Sequence, residues 1–283
     1  MSYVSFEKRP ALPSIPVKGT LTLTYRCNND CRHCWVRREP GDSVKKKELS
    51  TEEWIDYIEQ ARAMGTREWA ITGGEPMLRS DFSVLFDHIT SHYRRYSLNT
   101  NGTFLTAKLA KQIASRPGGR IMVALYGATE EVNDYITRNP GSFQAALRGM
   151  NYLKEAGVRF EVQLIPMKDN FHQFGEMKKL AEKISPHWRI GAVWFYLSLE
   201  HDETKNKEIR SQRLPAKTVV ELDNLAFSES DKHGECVNGS NNHVLKSCLD
   251  KIDSFSINPY GELSFCDFLW QRNLVYELRQ GTF

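Results

Sequence analysis

Cys27-Asn28-Asn29-Asp30-Cys31-Arg32-His33-Cys34 gathers three of the chain's six cysteines into one short segment. Their spacing is C-x3-C-x2-C, with no fourth cysteine nearby. Thiolates are soft ligands that suit iron–sulfur clusters, zinc and copper(I). A closed structural zinc site wants four ligands, so three thiols leave it one short. A cubane cluster on three cysteines leaves one iron open for other chemistry. Spacing alone leaves three readings standing: a reactive cluster, a zinc site completed from a distance, and three buried thiols.

The residues around the segment indicate the fold. The preceding run, Gly19-Thr20-Leu21-Thr22-Leu23-Thr24-Tyr25-Arg26, alternates as a strand does and puts the cysteines on the loop after it. A second strand, Trp69-Ala70-Ile71-Thr72, ends in Gly73-Gly74-Glu75-Pro76. A third, Tyr96-Ser97-Leu98-Asn99, ends in Thr100-Asn101-Gly102-Thr103. Each strand thus runs into a polar, glycine-rich or thiol-bearing loop. In α/β folds the sites lie at the carboxyl ends of parallel strands.

Strand and helix patterns alternate from Thr20 to about Ser198. A helix follows Ser50-Thr51-Glu52-Glu53, a capping box in which Ser50 and Glu53 satisfy each other's free amides. Others are expected from Thr106 and from Ser142 to Gly157, the latter with Phe143, Ala146, Leu147, Met150 and Leu153 on one stripe. Further strands are expected at 121–125, 160–165 and 190–199. The fold class is α/β: six β-α units in a partial (β/α)6 TIM-like barrel, with a small C-terminal extension containing a β-hairpin. The expected division is 1–199 for the barrel, 200–247 for a polar connection and helix, and 248–283 for the extension. Residues 200–213 are strongly polar and read as a mobile connection. Residues 39–47 read as a charged, solvated loop. Strands at 254–257 and 262–265 flank Asn258-Pro259-Tyr260-Gly261, a hairpin turn.

With these motifs in order, the chain resembles the radical S-adenosylmethionine (SAM) superfamily. The resemblance rests on the C-x3-C-x2-C loop, Gly73-Gly74-Glu75-Pro76 and Asn99-Thr100-Asn101-Gly102. It runs on through Leu125-Tyr126-Gly127-Ala128-Thr129 and Arg138-Asn139-Pro140-Gly141-Ser142-Phe143. It reaches Cys248 and Ile257-Asn258-Pro259-Tyr260-Gly261-Glu262-Leu263-Ser264-Phe265-Cys266, which is similar to the start of the SPASM or twitch extension of peptide- and protein-modifying members.

The resemblance implies that Cys27, Cys31 and Cys34 hold a [4Fe–4S] cluster whose fourth iron chelates SAM. Reduction then cleaves SAM to methionine and a 5′-deoxyadenosyl radical, which takes hydrogen from the substrate. It implies that Gly73, Gly74, Glu75 and Pro76 meet the SAM amino group, and that Arg138 reaches the SAM carboxylate. Asn99 and Asn101 would bond the ribose or support the pocket, and Asn101-Gly102 is also an ordinary turn signal. His33 stands where many relatives carry an aromatic beside the adenine. Ala124 departs from the serine that several relatives have there, so one ribose contact is missing. Cys248 and Cys266 match two ligands of an auxiliary iron–sulfur cluster, while relatives place more beyond Phe283. The expectation is therefore a shortened chain with one complete cluster, the rival being two buried thiols. Cys236 reads as an ordinary free thiol, the alternative being a third ligand of that auxiliary cluster.

Composition excludes little. The net charge is +3, too small to argue for nucleic acid, and 40% of residues are hydrophobic, as in ordinary globular proteins. The N-terminal stretch lacks the apolar core of a signal peptide, and no stretch reaches membrane-spanning length. The expectation is a cytoplasmic enzyme with clustered thiols held for metal. A peptide or protein substrate is expected, with flavodoxin or ferredoxin as electron donor. The rivals are a small-molecule radical SAM enzyme of cofactor biosynthesis and a non-catalytic zinc-binding scaffold.

Overall fold

A computed structural model describes residues 17–36, 48–92, 95–191, 195–199, 201–222, 254–265 and 275–281. Cys236, Cys248, Cys266 and the loop 39–47 lie outside the described residues. Six parallel strands form the frame: β1 (Lys18–Thr22), β2 (Glu68–Thr72), β3 (Tyr96–Thr100), β4 (Gly119–Leu125), β5 (Phe160–Leu164) and β6 (Trp188–Ile190). They lie side by side in chain order, and the sheet runs β6-β5-β4-β3-β2-β1-β7-β8-β9. Its two ends are β6 and β9, so the barrel is open and partial, as expected from sequence.

The connecting helices are α1 (Thr51–Ala63), α2 (Phe82–Ser91), α3 (Ala107–Ala114), α4 (Glu130–Thr137), α5 (Ser142–Glu155) and α6 (Phe174–Ile184). Helix α1 starts at the predicted capping box, with Glu53 N–H bonded to Ser50 Oγ at 3.2 Å and Ser50 N–H to Glu53 Oε2 at 2.7 Å. The main core lies between sheet and helices. Leu21, Ile71, Leu98, Val123 and Val162 meet Trp54, Phe86, Ile113, Met150 and Met177 there. Burying such side chains stabilises by about 1.5–3 kcal/mol each. With every second strand residue committed to this layer, the residues between them face the barrel interior. A smaller core of Ile136, Ile165, Met167, Phe195 and Ile209 sits on that inner side.

Two expectations change. The last barrel strand is Trp188–Ile190, and residues 195–198 carry no strand. Their polar groups find partners outside a ladder: Phe195 O accepts from Arg213 Nη2 at 2.7 Å, and Ser198 N–H donates to Asn206 Oδ1 at 2.7 Å. An apolar run looks the same whether it pairs in a sheet or packs in a core. Residues 200–213, read as a mobile connection, contain helix α7 (Glu203–Gln212). Asp202 caps it by accepting from Thr204 N–H at 2.8 Å and Lys205 N–H at 3.2 Å. Its composition is polar, but Asn206, Ile209 and Gln212 form a buried face at three-residue spacing.

The C-terminal hairpin forms as predicted, with β7 (Ser254–Ile257) antiparallel to β8 (Glu262–Ser264). Gly261 has φ +84°, a turn conformation that suits glycine. Strand β7 also pairs in parallel with β1, Leu21 opposite Ile257, so the hairpin prolongs the barrel sheet. Strand β9 (Tyr276–Glu277) follows on β8. Among the described residues no helix is long and apolar enough to cross a membrane.

Candidate active site

The cysteine loop leaves β1 and is tied down along its length. Asp30 N–H donates to Thr137 O at 2.8 Å, and Arg32 N–H to Ile136 O at 3.1 Å, both at the end of α4. Asn139 Nδ2 donates to Asn29 Oδ1 at 2.8 Å. These contacts turn Cys27, Cys31 and Cys34 into one cavity at the carboxyl ends of the strands. All three are free thiols, Cys31 fully buried and the others half-buried. Burial pushes the Cys27 thiol up to about 12, with the charges of Glu75 and Cys34 adding to it. Burial, then Cys34 and Cys27, drives Cys31 well above the ordinary thiol range. A metal centre bound here would supply the positive charge that turns these thiols into thiolates.

Three thiols on one cavity are a donor set that a cubane cluster, with one cysteine on each of three irons, can use. Among the described residues, no three Cys, His, Asp or Glu side chains converge closely enough to hold one metal ion. A cubane spreads its cysteines over three irons and needs no such convergence. Three thiols on one cavity meet that requirement.

The Gly73-Gly74 pair is explained by the chain itself. A Cβ on Gly73 would stand 2.4 Å from Thr24 O, and one on Gly74 2.3 Å from Arg26 O. Gly73 has φ +149°. Gly74 N–H donates to Thr24 O at 2.8 Å, and Glu75 N–H to Arg26 O at 2.9 Å. Sequence reasoning reserved the glycines for ligand approach. They also let the loop after β2 close onto the strand leading to Cys27, and both still line the cavity.

Glu75 stands behind the cavity wall. Its side chain is fully buried and does not reach the cavity; it accepts from Asn101 N–H at 2.8 Å, Met77 N–H at 3.2 Å and Thr100 Oγ1 at 2.9 and 3.0 Å. Burial lifts its carboxyl to about 7 against these hydrogen bonds. A carboxylate engaged in this way organises the loops after β2 and β3. Pro76 is buried as the first residue of a short 3-10 turn and also lies off the cavity.

Arg138 stands outside the cysteine loop. Its guanidinium pairs with Asp30 Oδ2 at 3.3 Å and with Glu208 on α7, and it does not line the cavity. It has φ +53° at the end of α4, which aims it across the outside of the cysteine loop. Arg32 joins the same network, 3.3 Å from Glu208 and 3.5 Å from Asp169. Sequence could not expose this, because Glu208 lay in a segment read as a connection.

His33, Asn99 and Asn101 do line the cavity. The His33 ring stands 5.3 Å from that of Tyr126 and 5.0 Å from that of Phe195. Burial lowers its pKa to about 4, so the imidazole is neutral. Its Nδ1 is buried without a partner among the described residues, leaving a polar atom for a ligand. Ala124 lines the same wall. Sequence reasoning missed Tyr126, Gln163 and Ile165, which complete that side. The signal was available in strand alternation, since Ala124 and Tyr126 on β4 and just past it, like Gln163 and Ile165 on β5 and just past it, alternate with the residues of the main core.

Comparison with known proteins agrees with this geometry. The model of the Radical SAM superfamily matches residues 21–181, more than half of the chain. The AdoMet-dependent heme synthase of Oleidesulfovibrio alaskensis is 33% identical over 205 residues, covering 72% of this chain and 51% of the relative. The mycofactocin maturase MftC of Mycobacterium tuberculosis is 35% identical over 179 residues, covering 62% of this chain and 44% of the relative. The chain therefore spans about half the length of the curated relatives it matches. Among solved structures, SuiB of Streptococcus suis bound to S-adenosylmethionine superposes with a TM-score of 0.63 at 14% identity, over 94% of this chain and 64% of that one. At that identity the likeness concerns the fold.

Proposed function

The chain belongs to the radical SAM superfamily, and from that premise we propose that it carries a [4Fe–4S] cluster on Cys27, Cys31 and Cys34 and acts on a peptide or protein side chain. The observation that carries this reading is the meeting of three thiols, one buried and two half-buried, in one cavity at the carboxyl ends of the barrel strands. When bound, such a cluster supplies an electron that cleaves SAM to methionine and a 5′-deoxyadenosyl radical, which takes a hydrogen atom from the substrate.

The chain's own residues have separable tasks. Cys27, Cys31 and Cys34 hold the irons. Gly73 and Gly74 offer a bare wall for SAM, and Asn99 and His33 offer polar atoms beside it. Glu75 and Pro76 shape the loop from behind. Arg138 serves the cysteine loop through Asp30 and Glu208. The side formed by Ala124, Ile165 and the ring of Tyr126, whose hydroxyl is hydrogen-bonded with the Cys31 thiol, excludes water from a reactive species, and Gln163 adds one amide to it. Cys248 and Cys266 would serve an auxiliary cluster. A flavodoxin or ferredoxin in a reducing cytoplasm would supply the electron.

Peptide modification is supported by the mycofactocin maturase relative, 35% identical over 179 residues; SuiB, which has also been solved with the precursor peptide SuiA, shares the fold (TM-score 0.62, 14% identity). A second reading, a small-molecule enzyme of cofactor biosynthesis, is favoured by the heme synthase relative. Anaerobic incubation of the reconstituted chain with SAM and a reductant, with a candidate precursor peptide in one arm and an iron porphyrin in the other, separates the two by mass spectrometry. A changed peptide mass supports the first, and a changed porphyrin mass with an unchanged peptide overturns it.

A further inference from the structure

We infer that Asn101 sets the reduction potential of the iron–sulfur cluster by donating an N–H···S hydrogen bond to the Cys27 sulfur. The inference rests on the cluster reading above and deepens it. Asn101 stands at the end of β3, and its own main-chain N–H is fixed on Glu75 Oε2 at 2.8 Å. Its side-chain Oδ1 accepts from Thr103 N–H at 2.9 Å and from Thr103 Oγ1 at 2.6 Å. A main-chain N–H can only donate, so the oxygen edge of the amide must face Thr103. The nitrogen edge must then face the other way, where Asn28 Oδ1 lies at 2.9 Å and Cys27 Sγ at 3.7 Å. Asn28 closes the ring by donating from Nδ2 to Thr103 Oγ1 at 2.9 Å. The two hydrogens of the Asn101 amide are thus divided between Asn28 and Cys27.

Cys27 Sγ also accepts from Asn29 N–H at 3.4 Å. This sulfur therefore sits among amide donors, one from its own loop and one from a different strand. Asn101 is 8% exposed, so water competes little for the bond. Reduction of a cluster adds negative charge that spreads onto its sulfurs. A donor aimed at a ligand sulfur stabilises the reduced form more than the oxidised one and raises the potential. Asn101 is a positioning residue, acting on the cluster through Cys27. Through Glu75, the same residue joins the strand end of β3 to the loop after β2.

The test uses the full chain, reconstituted with iron and sulfide without oxygen. Asn101→Ala removes the donor, and Asn101→Asp keeps an oxygen toward Thr103 while placing a second oxygen against the sulfur. Potentiometric titration followed by electron paramagnetic resonance should show a more negative midpoint in both, further in Asn101→Asp, with wild-type iron content. A wild-type midpoint in a fully loaded Asn101→Ala overturns the inference. Where a variant fails to load, the wild type decides. Labelled with 15N only in asparagine side-chain amides, its reduced cluster should show a weak nitrogen coupling in pulsed resonance, and the lack of one overturns the inference. A wild type that binds no iron at all defeats the cluster reading and the inference together. A loaded wild type with an unmoved variant midpoint defeats the inference alone.

Discussion

Asn101 N–H lies 2.8 Å from Glu75 Oε2, joining the end of β3 to the loop after β2 inside the protein. The same carboxyl also holds Met77 N–H and Thr100 Oγ1. It is therefore a brace between two cavity-lining segments. In Glu75→Gln one amide edge would present hydrogens to a main-chain donor and leave it unsatisfied. A buried donor in that state costs about 1–3 kcal/mol. Denaturant unfolding of the metal-free variant should show that loss with no SAM present; unchanged stability would count against the brace.

The same carboxyl carries a pH signature. Burial raises it to about 7 from an ordinary value of 4.5. The folded state then binds the proton more tightly than the unfolded one. Stability from this group is fully present below the unfolded value and is lost as pH rises through the folded one. Wild-type unfolding free energy should fall between about pH 5 and pH 7 relative to Glu75→Gln, which has no such proton. Parallel profiles for the two proteins would contradict the buried, protonatable state.

Replacing Cys27, Cys31 and Cys34 together by Ala should abolish SAM cleavage and remove the iron and visible absorption of the one cluster they hold. The barrel should persist, because its main core lies on the other side of the sheet. Iron and sulfide analysis with circular dichroism checks both halves. A variant that still yields 5′-deoxyadenosine rules the assignment out. A colourless wild type retaining zinc would support the scaffold reading.

Arg138→Ala should leave SAM affinity within about a factor of five, since half-exposed ion pairs are worth about 0–1 kcal/mol. Its pairs with Asp30 and Glu208 brace the cysteine loop from outside. Cluster loss to a chelator should therefore quicken. A loss of SAM affinity near a hundredfold, with the cluster's lifetime unchanged, would restore the direct carboxylate contact implied by the family resemblance.

Gly74→Ala should fail to fold or to load iron, because its Cβ would meet Arg26 O at 2.3 Å. Gly175→Ala is the contrast. It lies near the start of α6, where a new Cβ meets nothing within 4 Å. That change should leave stability equal or raise it by about 0.4–1 kcal/mol. Equal melting temperatures for the two variants would refute the close-approach account of Gly74.

The cysteine spacing, the strand alternation before it, the capping box at Ser50 and the turn at Asn258-Pro259-Tyr260-Gly261 were all legible in the chain. Each is a local pattern whose physics acts within a few residues. They determine the strand-then-loop grammar, the open barrel and the three thiols, and they survive in the structure nearly unchanged. What the chain alone left undecided depends on contacts between distant segments. Glu75 and Arg138 look alike in sequence, as charged residues beside a ligand site. Only the tertiary structure brings Asn101 to one and Glu208 to the other. The polar stretch around Glu203 became a helix because Ile209 found a core beside Phe195. Strand β7 joined the barrel because β1 had a free edge to pair with. Partner choice of this kind is settled by burial and hydrogen bonding across the fold, and no window of neighbouring residues contains it.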